Sequence, residues 1–401
     1  MTVEIRTPAE AEVEQVIAAA NTAFGEAVHP ADAERMRSIM PLDRILGAFD
    51  GGRPVGCSAA LRFDLTIPGG AVPTAGVTWV GVVPSHRRRG VLREFMRRQL
   101  EQFHAEGEPL AALWASEAPI YRRFGYGLAS VNAMLDAEVA RFAYRDDAGP
   151  AGSIRLVDVD EARELFPPLY DGVRVMRAGY LSRSPELWAA KLADPEHRRE
   201  GAGPKFNAVL ELDGRPEGFA RYRIAGNWER WTPQGQLQVI EVQAATGEAL
   251  RELWRFLFSV DLIVSVRADR FDPSSSLFLQ VVEPRRLHVG LVDGLWLRLV
   301  DVAEALRLRS YAVDGSLVLD VVDELCEWNR GRFRAGARAG ATDERAELRL
   351  SVADLGSLYL GGFGARELRA AGRLEELVPG AVDRADALFR TPDPPFCPEE
   401  F

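Results

Sequence analysis

Residues 8–20, "PAEAEVEQVIAAA", carry Val13, Val16, Ile17 and Ala20 on one face at helical spacing, which predicts an amphipathic helix. Residues 45–83 read instead as strands. Turn clusters at Asp50-Gly51-Gly52 and Pro68-Gly69-Gly70 separate them. Helical spacing returns over 91–103 with Leu92, Phe95, Met96, Leu100 and Phe103, and an apolar strand, "PLAALWAS", follows at 109–116. This succession predicts an α/β first segment.

The middle of the chain repeats that plan. "FDGGRPVGCSAALRF" (49–63) matches "LDGRPEGFARYRI" (212–224), and "VVPSHRRRGVLREFMRRQL" (82–100) matches "VQAATGEALRELWRFLF" (242–258). "LAALWAS" (110–116) then lines up with "LIVSVRA" (262–268). Strand–turn patterns recur easily, but three matches in one order at comparable spacing indicate a duplicated unit. The copies differ at one point: "AATGEA" replaces "SHRRRG". From about residue 286 the chain alternates strand and helix differently, in "LWLRLVDVAEALRLRSY" (295–311) and "LRLSVADLGSLYLGGFGARELRAAGRL" (348–374). Asp301 and Asp354 read there as helix N-caps, so a third, α+β domain is expected. The expected segments are 1–135, 136–285 and 286–401.

Composition narrows the class. With 47% hydrophobic and 27% charged residues over 401 positions, the chain is ordinary globular material. Its net charge of -10 argues against general nucleic-acid binding and mildly favours a cationic partner. Cys57, Cys326 and Cys397 are odd in number and scattered, so neither a disulfide framework nor a metal spacing emerges, and a reducing cytoplasm is expected. The five histidines form no ligand spacing either, and no metal is expected. The N-terminal stretch lacks the basic and apolar regions of a signal peptide. The most apolar run, 253–266, is broken by Arg255 and Asp261 and is too short for membrane insertion.

Against that acidic background, Arg87-Arg88-Arg89-Gly90 puts three guanidiniums at a predicted helix N-terminus, where the macrodipole disfavours cations unless an anion joins them. A strand entering a helix through an arginine/glycine turn offers free backbone N–H groups to a phosphate. Neither a Walker A loop nor a dinucleotide fingerprint is present. The turn resembles the pyrophosphate-binding turn of the GCN5-related N-acetyltransferases, with Leu92 where a small residue is usual. "SEAPIYRRFGYG" (116–127) supplies a second element: Tyr121 on a short helix entered through Pro119. In that superfamily the corresponding tyrosine sits beside the sulfur of acetyl-CoA. A phenol stays protonated at neutral pH and can supply the proton that the departing thiolate takes up.

Both motifs are similar to those of the Eis (enhanced intracellular survival) subgroup, which tolerates leucine at position 92; Ala118-Pro119 stands where two glycines are usual. The resemblance spans the chain and implies an active acetyltransferase domain, a degenerate second one, and a C-terminal domain similar to sterol carrier proteins. It implies acetyl-CoA as co-substrate, contacted by Val80, Gly81, Val82, Arg87, Arg88, Arg89, Gly90, Val91, Leu92, Arg93, Ser116 and Glu117. Tyr121 becomes the general acid, and the α-carboxylate of the last residue, Phe401, the base that deprotonates the amine. Phe24, Glu26 and Glu400 are candidate acceptor contacts, and Glu399 adds negative charge. The expected acceptor is a polycationic, aminoglycoside-like amine and the expected assembly a hexamer. A lysine of a protein or peptide as acceptor, or a non-catalytic carrier of an apolar ligand, stand as alternatives.

Overall fold

The computed structural model describes residues 3–26, 29–146 and 149–401. It divides into two compact units: Met1–Ser130 with Gly294–Pro395 and Glu399–Phe401, and Val131–Asp293 with Phe396–Pro398.

The first unit holds a seven-stranded sheet in the order Glu4–Arg6, Ile45–Asp50, Arg53–Ile67, Gly70–Val82, Leu110–Leu113, Trp296–Leu299, Gly127–Leu128. One neighbouring pair, Gly70–Val82 with Leu110–Leu113, is parallel. That pairing requires a crossover, which the helix Val91–Ala105 provides. The helix buries Val91, Phe95, Met96, Gln99, Leu100 and Phe103, three and four residues apart. The first long helix runs Val13–Phe24, later than the sequence pattern suggests. Glu12 reaches back to the Ala9 N–H at 2.8 Å and closes a tighter turn over Glu10–Glu12. Gly25, at φ 76°, then supplies the left-handed stop.

A second sheet of the same unit runs Gly340–Ala341, Gly331–Gly336, Ser316–Val322, Leu348–Ser351, Leu374–Glu376. Asp301 caps the helix Val302–Leu308, its carboxylate accepting from the Glu304 N–H at 3.0 Å. Asp354 is not a cap. Ser351 caps the helix Val352–Tyr359, and the Asp354 N–H donates to its Oγ at 3.2 Å. Both residue types cap well, and the apolar pair Val352-Ala353 between them already belongs to the helix.

The second unit repeats the first. Its sheet runs Gly290–Asp293, Val131–Glu138, Ile263–Phe271, Gly235–Ala244, Arg215–Ala225, Phe206–Leu212, Ser153–Val157. Here too one pair is parallel, Gly235–Ala244 with Ile263–Phe271, crossed by the helix Gly247–Ser259. The duplicated plan inferred from three local matches is therefore the duplicated plan of the fold.

The compact units do not follow a cut at 135 and 285. The strand Val131–Glu138 leaves the first repeat and pairs with Ile263–Phe271 of the second sheet. Trp296–Leu299 follows the second repeat, yet it enters the first sheet between Leu110–Leu113 and Gly127–Leu128. All four of its residues are buried. Local patterning marks strands but not which sheet adopts them. A fragment ending at residue 130 lacks this strand and leaves Leu110–Leu113 with an open apolar edge. It is expected to show no cooperative thermal transition, and a sharp calorimetric melt from it would contradict this topology.

Candidate active site

The parallel strands of the first sheet pair only over Thr74–Gly76 and Leu110–Ala112 and then part. A bulge accompanies the separation. Thr78 pairs with Ala59 but Gly81 with Cys57, which leaves one extra residue on the strand Gly70–Val82, and Trp79 takes φ 49°. A cavity of about 900 Å³ opens between the separated ends, lined by Val80, Gly81 and Val82 on one side and by Ser116 and Glu117 on the other. Gly81 also lets the first helix approach, since a Cβ there would stand 3.0 Å from Ala20.

The arginine turn forms the next wall. Arg87, Arg88, Gly90, Val91, Leu92 and Arg93 line the cavity, while Arg89 is exposed and lies outside its lining. Arg87 is already engaged: Nη2 donates to the Ala23 carbonyl at 3.2 Å, tying the turn to the end of the first helix. Arg88 holds φ 63° and Gly90 φ 83°. For a non-glycine residue that conformation is held against a cost of about 1 kcal/mol or more, a form of strain that concentrates at functional sites. Gly90 caps the helix with no side chain, so the first N–H groups of Val91–Ala105 receive no side-chain cap. Among the described residues Arg97 and Arg98 pair with Glu94, whereas Arg88, Arg89 and Arg93 have no ion pair. In the second unit the equivalent helix starts at Thr246, whose Oγ accepts from the Ala249 N–H at 3.1 Å. The repeat without arginines satisfies its own helix start.

Tyr121 closes the short helix Ala118–Tyr121, is 5% exposed, and lines the cavity. Burial pushes its phenol above the ordinary value, a hydrogen bond with Ser116 opposes this, and the nearby Glu117 charge adds to it. Its hydroxyl therefore keeps its proton through neutral pH. The segment that carries it is fixed by residues from far along the chain. Arg122 Nη2 donates to both Asp354 oxygens, at 2.8 and 3.0 Å. A Cβ on Gly125 would stand 1.9 Å from Arg298 Nη1, and one on Gly127 would stand 1.8 Å from the Ala353 carbonyl. Arg298 in turn pairs with Asp323 in a fully buried bridge.

The last three residues return to this unit. Trp114 Nε1 donates to the Glu399 carbonyl at 2.6 Å. The Phe401 ring packs on Phe63 at 4.9 Å between centroids, over Gly76, where a Cβ would stand 3.0 Å from the Phe401 ring. Glu399 is completely buried and does not present its charge to solvent; Glu400 is exposed. Phe24 lines the cavity beside Ala23, whereas Glu26 is exposed beyond it. Residues 27–28, the end of the stretch "NTAFGEAV" (21–28) that carries both candidates, lie outside the described residues. Sequence reasoning missed His86, which lines the cavity and pairs with Asp50 at 3.0 Å, and it missed Glu324 and Leu325 altogether. The Ser85-His86 step carries no motif, and Glu324 lies 200 or more residues from the other walls. Among the described residues no three His, Cys, Asp or Glu side chains gather as metal ligands.

A sheet parted by a bulge, an uncapped helix start and a buried tyrosine on the short helix after the facing strand define an acetyltransferase of the GNAT class. The acetyltransferase (GNAT) domain family matches residues 4–129, a further GNAT family matches 179–307, and the sterol carrier protein domain family matches 302–398. An N-acetyltransferase of Streptomyces avermitilis is 38% identical over 392 residues, covering 94% of this chain and 95% of its own. The N-acetyltransferase Eis of Mycobacterium tuberculosis is 35% identical over 413 residues, covering 98% of each. The crystal structure of Eis1 from Mycobacterium abscessus superposes with a TM-score of 0.87 at 32% identity, covering 99% of this chain and 100% of that one. The chain belongs to the Eis family of GCN5-related N-acetyltransferases. GNAT domains use acetyl-CoA, and the unpaired Arg88 and Arg93 beside bare helix N–H groups fit its diphosphate. No described helix is long and apolar enough to cross a membrane.

Proposed function

We propose that the protein transfers the acetyl group of acetyl-CoA to an amine of a cationic, aminoglycoside-like small molecule, by direct attack within a ternary complex. The observation that carries this reading is the single cavity lined by both the arginine turn and Tyr121. Arg88, Arg93 and the N–H groups at the start of Val91–Ala105 hold the diphosphate. The backbone of Val80–Val82, released from pairing with the neighbouring strand, offers hydrogen bonds to the amides of the pantetheine arm.

The Phe401 carboxylate takes the proton from the attacking amine, the N–C bond forms, the C–S bond breaks, and Tyr121 protonates the departing sulfur. Tyr121 suits that role because it lines the cavity and its phenol is protonated at neutral pH. The acceptor assignment draws on the net charge of -10 and the exposed Glu26 and Glu400, which attract a polycation over a distance. Phe24, at the cavity edge, packs against its apolar parts. A hexameric assembly is proposed on family membership, and a cytoplasmic location on three scattered, buried cysteines.

Release of CoA thiol measured with an aminoglycoside, with lysine peptides and with no amine tests the reading. Turnover dependent on the aminoglycoside is expected. Preference for peptides would move the acceptor to protein lysines, and no release with any amine would leave the apolar-carrier alternative.

A further inference from the structure

The second repeat has no arginine turn, yet its sheet also parts, and the residues fastened to its parted ends hold a piece of the chain's own tail. Pairing of Gly235–Ala244 with Ile263–Phe271 stops at Val239 with Ala268. Beyond that point the Tyr180 hydroxyl donates to Gln243 Oε1 at 3.3 Å, on one strand. Arg177 Nη2 donates to Asp272 Oδ1 at 3.1 Å, just past the other. The Phe396 ring lies against both, 6.1 Å from the Tyr180 ring and 5.4 Å from the Arg177 guanidinium. It is buried in an apolar cluster with Tyr170, Trp188 and Phe219.

The backbone of that piece is fixed as closely. The Phe396 N–H donates to the Ala178 carbonyl at 3.0 Å, and Asn132 Nδ2 donates to the Cys397 carbonyl at 3.1 Å. Asn132 and Cys397 are both fully buried. Gly179 takes φ 101°, and a Cβ there would stand 2.7 Å from the Phe396 carbonyl oxygen, so the tail is approached as only glycine allows. Pro395 and Pro398 flank the pair and restrict the backbone on either side. Two residues beyond Cys397 the Glu399 carbonyl accepts from Trp114 Nε1, and two further on comes Phe401. A tail segment ordinarily frays; this one leaves the carboxylate it carries little freedom, which is what a base held against its substrate requires.

Resting on the reading of the Phe401 carboxylate as base, we infer that Phe396, with Asn132, is a positioning residue. The repeat without an arginine turn serves the reaction by gripping the tail, and so fixes where the carboxylate meets the amine.

Steady-state kinetics with acetyl-CoA and kanamycin between pH 5 and 7 test this, using wild type, Phe396→Ala, Phe396→Leu, Asn132→Ala and the chain ending at Glu400. With the base in place the ammonium form of the substrate meets a carboxylate, and kcat/KM for the amine is flat across this range, above the pKa of a terminal carboxyl. Without it only the neutral amine reacts, and kcat/KM climbs about tenfold per pH unit. Phe396→Ala is expected to lose about tenfold at pH 6, to climb with pH, and to keep acetyl-CoA affinity within about twofold. Phe396→Leu recovers most of the rate. Asn132→Ala, which opens no large cavity and decides the matter should Phe396→Ala not fold, shows the same changes at about fivefold. Added to the chain ending at Glu400, Phe396→Ala costs nothing more. Flat profiles in Phe396→Ala and Asn132→Ala, whatever their rates, overturn the inference, as does a further loss in the shortened chain. Full rate and a flat profile in the shortened chain itself overturn the base reading, and this inference with it.

Discussion

Replacing Tyr121 by phenylalanine is expected to lower kcat by about 10²- to 10⁴-fold, the usual contribution of a general acid, with little change in KM for acetyl-CoA. The ring remains in its cluster with Phe124, Tyr126 and Leu113, so the fold loses one hydroxyl, and a thermal melt should move little. The hydroxyl is protonated at neutral pH, and burial raises its pKa further above the ordinary 10. The sign follows: with the folded pKa raised, the protonated, active form persists to higher pH, and kcat should show no alkaline decline below about pH 10 from this group. Stopped assays across pH 6–10 on wild type and Tyr121→Phe check both parts. A loss smaller than tenfold, or a wild-type decline near pH 8 that the variant lacks, would remove Tyr121 from the acid role.

Deleting Phe401 is expected to cost about 10²-fold or more in kcat/KM for the amine, because it removes the ring anchor and moves the terminal carboxylate. Phe401 is held on the sheet by Phe63 and by the space Gly76 leaves, and Trp114 fixes the chain two residues earlier. A polar extension after Phe401 should cost a similar amount, since it converts the carboxylate into an amide. Trp114→Phe, which loses the hydrogen bond to the Glu399 carbonyl but keeps the aromatic packing, should lose about tenfold or less. These losses should appear in turnover, while acetyl-CoA affinity stays within about twofold. Full activity from a chain ending at Glu400 would assign the base elsewhere.

Much of this architecture was legible because its signals are local. Helix periodicity, glycine turns and the repeated "GRP" and "LRE" segments lie within windows of twenty residues, and both repeats appear with matching sheets. The arginine turn and Tyr121 could be read because each follows an apolar strand at short range, and one cavity unites them. What escaped was non-local. No periodicity announces that Trp296–Leu299 completes a sheet begun 292 residues earlier, at Glu4. Asp354 looked like a cap because its role, accepting Arg122, depends on a partner 232 residues away. Arg87 looked like a phosphate ligand as much as its neighbours did, and what the sequence did not show is that its Nη2 also donates to the Ala23 carbonyl, 64 residues away. Glu324 carried no signal in the sequence, since an exposed glutamate in a turn is ordinary until the opposite wall is known.

Calorimetric titration of acetyl-CoA into the intact protein and into Arg88→Ala/Arg93→Ala puts the central claim most directly to the test. The account expects saturable uptake by the wild type. It expects the double variant to bind about tenfold or more weakly, with a shallower dependence on salt, as two unpaired cations beside bare helix N–H groups are lost. Uptake that is absent, or indifferent to both arginines, would contradict it.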